Sequence, residues 1–259
     1  MTFTLPDHVL HRLIDARRIV VLTGGGVAAE SGVPSFGAAH TGKWAQYDVS
    51  ELATPQAFVR NPRLVWEWYD YRRGLAEKAQ PGATHYALVH LEQYYPAFTL
   101  ITQTIDGLHW RAGSRDLIEL NGSLRRSRCF EAGHIALTWE DDGEIPPHCT
   151  QCGSLLRPDV VMFGEGLPHS ELRRARLAVE QCDVFMCAGS VGAIEPIASF
   201  PFVARRSGAF VLTIAPDESI YTLMADYVVP TTPGVIMPEL VKLIAGDVGG
   251  LEELQADAF

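Results

Sequence analysis

A short apolar run that stops at three consecutive glycines constrains the fold of this chain more than any other feature. Residues 19–22 read IVVL, and Gly24, Gly25 and Gly26 follow after a single threonine. A buried strand that enters a glycine-rich turn and then a helix is the first unit of a dinucleotide-binding fold. Residues 24–29, GGGVAA, fit the pattern G-x-G-x-x-A. Glycine permits the tight turn and lets backbone N–H groups approach a pyrophosphate, although a tight turn without a ligand would need the same residues.

Further apolar runs of strand length follow at residues 98–102, 184–188 and 209–214, with helical patterns between them. Alternation of strands and helices predicts an α/β fold, here a doubly wound, Rossmann-like parallel sheet. We expect the first strand to end near Thr23.

Two stretches do not fit this alternation. Residues 35–90 are rich in aromatic side chains and helical patterns, and residues 125–160 hold cysteines and short polar turns. We predict that both are insertions and that together they build a smaller domain. The larger domain then comprises about residues 1–34, 91–124 and 161–250, within one unit of 259 residues.

The charge balance argues against several classes of protein. The net charge is −10, whereas a nucleic-acid-binding surface needs clustered Lys and Arg. No apolar stretch approaches the length of a membrane span, and the first residues lack the pattern of a signal peptide. The sequence therefore predicts a cytoplasmic protein that binds neither nucleic acid nor membrane.

Two polar segments in the middle of the chain are specific enough to indicate a family. Residues 102–109 read TQTIDGLH, and residues 118–122 read IELNG. They resemble the two catalytic segments of the sirtuins, the NAD-dependent protein deacylases, which typically read TQNIDGLH and ELHG. The resemblance runs from about residue 10 to residue 245 and is strongest to the bacterial desuccinylase-type branch. It implies the sirtuin fold and NAD as the cofactor.

The resemblance also implies catalytic roles. In sirtuins nicotinamide leaves the ribose, the acyl oxygen of a substrate lysine attacks the anomeric carbon, and a histidine deprotonates the ribose hydroxyls. Asn121 occupies the slot of that histidine and Thr104 the slot of an NAD-contacting asparagine, whereas Gln103, Ile105 and Asp106 match the family. A neutral amide does not accept a proton at pH 7, and losing a general base costs about 10²- to 10⁴-fold in rate. Nicotinamide loss depends mainly on positioning and electrostatics, so it can survive. Without the resemblance, Asp106 would be interpreted as a residue that only ties loop backbone together.

Other side chains along the dinucleotide path depart from the family pattern. Where sirtuins read GAGIS and SGIPDFR, this chain has Ala28, Ser35 and Gly37 in place of a serine, an aspartate and an arginine. Val191 and Ala215 likewise replace polar residues of the adenosine side. The residues implied for cofactor binding are Gly24, Gly25, Gly26, Glu30, Phe36, Gln103, Thr104, Ile105, Asp106, Gly189 and Ser190.

A third region implies the acyl substrate. Tyr69 and Arg72 match the Tyr-x-x-Arg motif with which desuccinylase-type sirtuins grip the carboxylate of a succinyl or malonyl group. Residues three apart share a helix face, and an arginine fork suits a carboxylate; the alternative is an amphipathic helix with a surface arginine. Residues 156–165, LRPDVVMFGE, match the strand that pairs with the acylated peptide. This match implies substrate contacts by Val161, Phe163 and Gly164.

The cysteines indicate a metal site. Cys149 and Cys152 form a C-x-x-C pair, which is typical of a reducing compartment and a metal site rather than of disulfides. The sirtuin metal arm carries two such pairs, a strong zinc signal. Cys129 fits the first ligand of the other pair, but Ala132 stands in its partner's slot. Zinc is therefore predicted at the three cysteines, with His134 as a fourth ligand or as an ordinary surface histidine.

Three functions remain open at this point. The first, which we favour, is an enzyme that breaks the nicotinamide–ribose bond and passes ADP-ribose to water or another nucleophile, with lysine deacylation weak or absent. The second is a lysine deacylase or desuccinylase of reduced activity, acting on an acylated peptide. The third is a non-catalytic sirtuin-fold binding protein, or a remodelled small-molecule site, which the scattered losses would favour.

Overall fold

The structure, a computed structural model, describes residues 4–139, 143–190 and 194–246. The strands are β1 (Arg18–Thr23), β2 (Ala97–Thr102), β3 (Leu117–Glu119), β4 (Gly122–Cys129), β5 (Ile135–Ala136), β6 (Leu156–Val160), β7 (Val184–Ala188), β8 (Phe210–Ile214) and β9 (Tyr227–Val229). The α-helices are α1 (Asp7–Ile14), α2 (Gly25–Glu30), α3 (Phe36–Ala39), α4 (Val49–Leu52), α5 (Pro55–Arg60), α6 (Pro62–Lys78), α7 (Ala83–Tyr94), α8 (Leu108–Ala112), α9 (His169–Gln181), α10 (Phe200–Arg206), α11 (Ile220–Met224) and α12 (Pro233–Ala245). Within these described ranges, no helix combines the length and apolarity that crossing a bilayer requires.

Six strands form one parallel sheet in the order β3-β2-β1-β7-β8-β9. The sheet grows outward in both directions from the β1–β7 pair, in which Thr23 lies opposite Ala188. A reversal of strand order at this point opens a crevice at the carboxyl ends of the strands, where α/β proteins bind their ligands. The predicted doubly wound sheet is confirmed, and β1 ends at Thr23 as expected.

Alternate side chains of β1 build the two cores that flank this sheet. Ile19 and Val21 pack on one face with α1, α7 and α12. Val20 and Leu22 pack on the other face with α9, α10 and α11. Burying each such side chain stabilises the fold by about 1.5–3 kcal/mol relative to exposure, which explains why a strand covered on both faces is continuously apolar.

The remaining strands form a second, antiparallel sheet in the order β5-β4-β6. Helices α3 to α6 share a core with it, in which Phe58, Trp68, Leu124 and Val160 are buried. The division of the chain into two domains stays a prediction. Helix α7 starts within the predicted insertion and packs on the six-stranded sheet. Helical periodicity shows that a face is apolar but not which sheet it covers.

Candidate functional site

A cleft of about 490 Å³ opens beside the carboxyl ends of β1 and β2, between the two sheets. Residues from many separate elements reach it. The predicted site residues that line it are Gly25, Phe36, Tyr69, Arg72, Gln103, Thr104, Ile105, Asp106, Asn121, Val161, Phe163 and Gly164.

The glycine turn is shaped by the loop that follows β7. A Cβ atom on Gly24 would lie 2.9 Å from the Cα atom of Ser190, and one on Gly26 would lie 2.9 Å from the Cα atom of Gly189. The Gly26 N–H also donates to the Gly189 carbonyl across 2.9 Å. Only Gly25 faces open space and lines the cleft. Gly24 and Gly26 are therefore required for packing of the two loops, and Gly25 leaves room for a ligand to approach the backbone.

Glu30 lies on α2 behind this turn. Its carboxylate accepts hydrogen bonds from the Thr84 hydroxyl at 2.7 Å and from the Gly234 N–H. Burial raises the pKa of this carboxyl, and the two hydrogen bonds act in the opposite direction. These bonds favour a role in holding the turn over direct contact with a cofactor. On the adenosine side, Ala215 is buried, and Val191 lies outside the described residues.

Gln103 and Asn121 meet at the floor of the cleft. Hydrogen bonds hold Gln103 at three atoms: its N–H donates to the Thr23 carbonyl at 3.0 Å, its carbonyl accepts from Asn121 Nδ2 at 2.8 Å, and its Oε1 accepts from the Ser190 hydroxyl at 3.1 Å. The Asn121 amide can donate and accept hydrogen bonds but cannot take up a proton at pH 7. Position 121 thus supplies a fixed dipole rather than a base.

Thr104 starts a chain of hydroxyl groups that leads from the cleft into the core. Its Oγ1 lies 3.0 Å from that of Thr102, which lies 2.9 Å from that of Thr23, which in turn lies 2.9 Å from Nε2 of His109. The imidazole of His109 lies 4.7 Å from that of His85, centroid to centroid. Burial lowers the pKa of both histidines, that of His85 to about 4. Both rings are neutral at pH 7. Sequence reasoning did not find His85, because a buried histidine in a helix has no distinguishing pattern.

Asp106 is a buried carboxyl in the cleft, 5% exposed. It accepts a hydrogen bond from the Leu108 N–H at 2.8 Å. Burial raises the pKa of Asp106, and the nearby charge of Arg72 acts against this rise. The next residue, Gly107, has a φ of 77°, a left-handed conformation that favours glycine, and this turn leads from Asp106 into α8.

Tyr69 and Arg72 enter the same cleft from α6. Burial raises the pKa of Tyr69 to about 12, so its hydroxyl stays protonated. The Arg72 guanidinium lies over the rings of Phe36, at 5.4 Å, and Trp68, at 5.9 Å. Burial lowers its pKa, opposed by the charges of Tyr69 and Asp106. Among the described residues Asp106 is the carboxylate whose charge acts on it, and both side chains line the cleft, so the cleft holds a half-buried cation that can receive an anionic group.

The segment after β6 forms another wall. The Val161 N–H donates to the Asn121 carbonyl and the Phe163 N–H to the Ala53 carbonyl, each at 2.9 Å. Arg157, 3% exposed, holds both oxygens of Glu165 at 2.6 and 2.8 Å. Burial alone would raise the pKa of Glu165, but these bonds and charges lower it. The segment is therefore fixed, while the Phe163 side chain remains half exposed at the cleft.

The cysteines form a cluster that does not line the cleft. The ligand atoms of Cys129, His134, Cys149 and Cys152 all lie within 4.8 Å of one another. Cys129 Sγ is 3.3 Å from Cys152 Sγ, and Cys149 Sγ is 3.6 Å from His134 Nδ1. Three thiolates and one imidazole are a tetrahedral donor set that suits structural zinc. The structure therefore supports the zinc prediction and places His134 in the cluster.

Comparison with known proteins identifies the family to which this chain belongs. The profile described as "Sir2 family" matches residues 24–196. An "NAD-dependent protein deacylase" of Aquifex aeolicus (strain VF5) is 48% identical over 209 residues, which are 80% of this chain and 87% of that protein. The chain belongs to the Sir2 family. The predicted family is thus confirmed, together with NAD as the cofactor that the family uses.

Solved Sir2 structures agree with this assignment. A Sir2 homologue in complex with NAD matches with a TM-score of 0.85 at 42% identity, covering 93% of this chain and 94% of the other. A Sir2 protein with a deacetylated p53 peptide and 3'-O-acetyl ADP-ribose matches with a TM-score of 0.78 at 27% identity, covering 91% and 96%. The sirtuin fold is therefore present along nearly the whole chain.

Proposed function

We propose that this sirtuin breaks the nicotinamide–ribose bond of NAD and passes ADP-ribose to water or another nucleophile, and that its lysine deacylation is slow. One observation carries the proposal. Gln103 and Asp106, which match the family pattern, line one cleft with Asn121, which occupies the slot of the family's histidine. The cleft thus keeps its positioning groups and lacks the expected base. We further propose that the protein works in the cytoplasm.

The residues present suit the first step of such a reaction. NAD, when bound, supplies the ADP-ribosyl group and nicotinamide as the leaving group. Gln103 is held by Asn121 and Ser190, so it can orient a ribose or an amide without reorganising. Asp106 is fixed by the Leu108 N–H and offers an acceptor in an enclosed site. Preorganised polar groups of this kind lower a barrier without proton transfer.

Arg72 and Tyr69 support the second candidate function, a desuccinylase-type activity at reduced rate. An acidic acyl chain would bring a carboxylate to the Arg72 guanidinium, and the protonated Tyr69 hydroxyl would donate a further hydrogen bond. Bonds between an arginine fork and a carboxylate are among the stronger ones in proteins. The ordered segment at residues 161–164 would offer backbone groups to the peptide. We therefore propose succinyl- or malonyl-lysine peptides as the preferred acyl substrates.

Calorimetric titration with NAD, followed by a nicotinamide-release assay, tests the proposal. Loss of two or three hydrogen bonds at about 0.5–1.5 kcal/mol each predicts NAD binding roughly ten- to several-hundredfold weaker than in an unaltered sirtuin. Asp106→Ala should abolish nicotinamide release, and Asp15→Ala, at an exposed position that follows α1, should not. Absence of NAD binding at millimolar concentration would overturn the enzyme proposal in favour of a binding protein.

A further inference from the structure

Arg73 follows Arg72 on α6 but lies in a different environment. It is 8% exposed, and its Nη1 donates to Oδ1 of Asp70 at 2.8 Å. Its Nε donates to the carbonyl oxygen of Leu124 at 2.9 Å. Leu124 itself lines the cleft, as do Tyr69 and Arg72 from the same helix. We call the part of the cleft that Tyr69, Arg72 and Leu124 line its acyl end, after the proposed acyl substrate. Through Leu124, Arg73 is bonded to the wall of this acyl end.

The guanidinium of Arg73 also lies close to two tryptophans that pack against the cysteine cluster. It lies 4.7 Å from the ring centroid of Trp139 and 5.4 Å from that of Trp66. The two indoles pack edge to face, 5.5 Å apart at 82°. Trp139 lies on the segment between the cluster residues His134 and Cys149, and it packs with Trp66 against the buried Cys129 and Cys149. Trp139 therefore follows one residue of the cluster by five positions and packs on two others.

We infer that Arg73 is a positioning residue that couples the Cys129, His134, Cys149 and Cys152 cluster to the acyl end of the cleft, so that metal loading changes the affinity for the acylated peptide. The inference rests on the proposed substrate class. A metal ion would fix Cys129 and Cys149, against which Trp139 packs, and Trp139 would fix the Arg73 guanidinium. Arg73 in turn holds the Leu124 carbonyl and the helix turn that carries Tyr69 and Arg72. A guanidinium can lie close to both indoles and still donate through Nε to Leu124, whereas a lysine ammonium lacks the planar fork that this arrangement uses.

A two-by-two binding experiment tests the coupling. The dissociation constant of a fluorescent succinyl-lysine peptide is measured for the unmodified protein and for Arg73→Met, each zinc-loaded and after treatment with a chelator. We expect chelation to weaken binding by the unmodified protein about tenfold and Arg73→Met to weaken it similarly, whereas both together should be little worse than either alone. The inference would be wrong if the combined loss of affinity equalled the product of the two single losses. It would also be wrong if the Arg73→Met protein bound the peptide like the unmodified protein. Circular dichroism verifies folding after chelation. Should chelation unfold the chain, Trp139→Leu in zinc-loaded protein takes its place in the cycle.

Arg63→Met is the matched control. Arg63 lies on the same helix, is exposed, and pairs with Glu67, so its loss should leave binding and its zinc dependence unchanged. Arg73→Lys keeps the charge without the planar fork, and we expect it to behave like Arg73→Met. If Arg73→Met bound the peptide with unmodified affinity, only the aliphatic part of the Arg73 side chain would matter, and the guanidinium would have no coupling role.

A second readout needs no peptide. Arg73 packs on Trp139, and Trp139 packs with Cys129 and Cys149, so Arg73→Met should weaken zinc binding several-fold in an equilibrium competition with a chelating dye, and Arg63→Met should not. If the unmodified protein binds no acylated peptide, the proposed substrate class fails, and the zinc affinities still decide the coupling. Equal zinc affinities for Arg73→Met and the unmodified protein would then overturn it.

Discussion

The side-chain amide of Asn121 donates a hydrogen bond to the backbone carbonyl of Gln103 across 2.8 Å. The bond joins the residue that precedes β4 to the residue that follows β2, at the floor of the cleft. It fixes a hydrogen-bond donor at the position where the resemblance to the sirtuins implies a proton acceptor. The first prediction follows from this contact.

Asn121→His should restore part of the missing chemistry. We expect lysine deacylation to rise about 10- to 100-fold, less than the full 10²- to 10⁴-fold effect of a general base, because the resemblance implies that Thr104 and Gly37 still depart from the family pattern. Steady-state assays with succinyl- and acetyl-lysine peptides measure the gain. Asn121→Ala serves as the control and should not exceed the unmodified protein. No gain with histidine would show that a missing base does not limit the reaction.

Arg72→Met should discriminate between acyl groups. Hydrogen bonds to charged groups contribute about 1.5–3 kcal/mol, so KM for succinyl- or malonyl-lysine peptides should rise roughly 10- to 100-fold. Acetyl-lysine peptides, which carry no carboxylate, should change little. Arg63→Met, on the exposed face of the same helix, controls for the loss of a positive charge. Equal losses for acidic and neutral acyl groups would assign Arg72 to packing.

Asp106→Asn should stabilise the free protein while abolishing nicotinamide release. Burial raises the pKa of Asp106, so folding disfavours its ionised form. Below the ordinary pKa of 3.8 both variants are neutral at this position and equally stable. As pH rises above that value the unmodified protein loses stability relative to the asparagine variant, up to its raised folded-state pKa, and the difference then stays constant. Asparagine Oδ1 can still accept from the Leu108 N–H.

Thermal unfolding at pH 3.5 and pH 7.5 measures this effect. A rise in Tm of about 2–4 °C at the higher pH would correspond to about 1 kcal/mol in a chain of this size. A lower Tm for Asp106→Asn at pH 7.5 would mean that the carboxylate is satisfied in the folded state and would refute the proposed burial effect.

His134→Ala should weaken zinc binding at least about tenfold, since even residues that only support a metal ligand are worth that much. Competition with a chelating dye gives the affinity. His134→Cys should retain the metal because thiolate and imidazole both suit tetrahedral zinc. His169→Ala, at an exposed histidine on α9, is the control. Unchanged zinc affinity in His134→Ala would show that His134 is an ordinary surface histidine and not a zinc ligand.

The sequence predicted the sheet where apolar runs were long and missed it where they were short. The runs at residues 98–102, 184–188 and 209–214 correspond to β2, β7 and β8. By contrast β3 and β9 have three residues each, too few to show any periodicity. Tertiary packing, which decides the sheet that α7 covers, is equally invisible in a pattern.

Motif spacing located the cleft, but it did not reveal the partners of each residue. Gly24 and Gly26 are required by a loop more than 150 positions away in the chain (the loop at Gly189 and Ser190). His134 joins the cysteines only because β4 and β5 pair around it. Arg73 and Trp139 stack across a long separation in sequence. Contacts of this kind depend on the folded chain and leave no local signal.

The most direct test measures two products in one sample. The unmodified protein is incubated with NAD and a succinyl-lysine peptide, and free nicotinamide and free lysine side chains are counted over time. Our account predicts that nicotinamide accumulates in excess of deacylated lysine by a factor of about 100 or more, on the scale of a lost general base. Equal amounts of the two products, formed at the rate of an unaltered sirtuin, would contradict it.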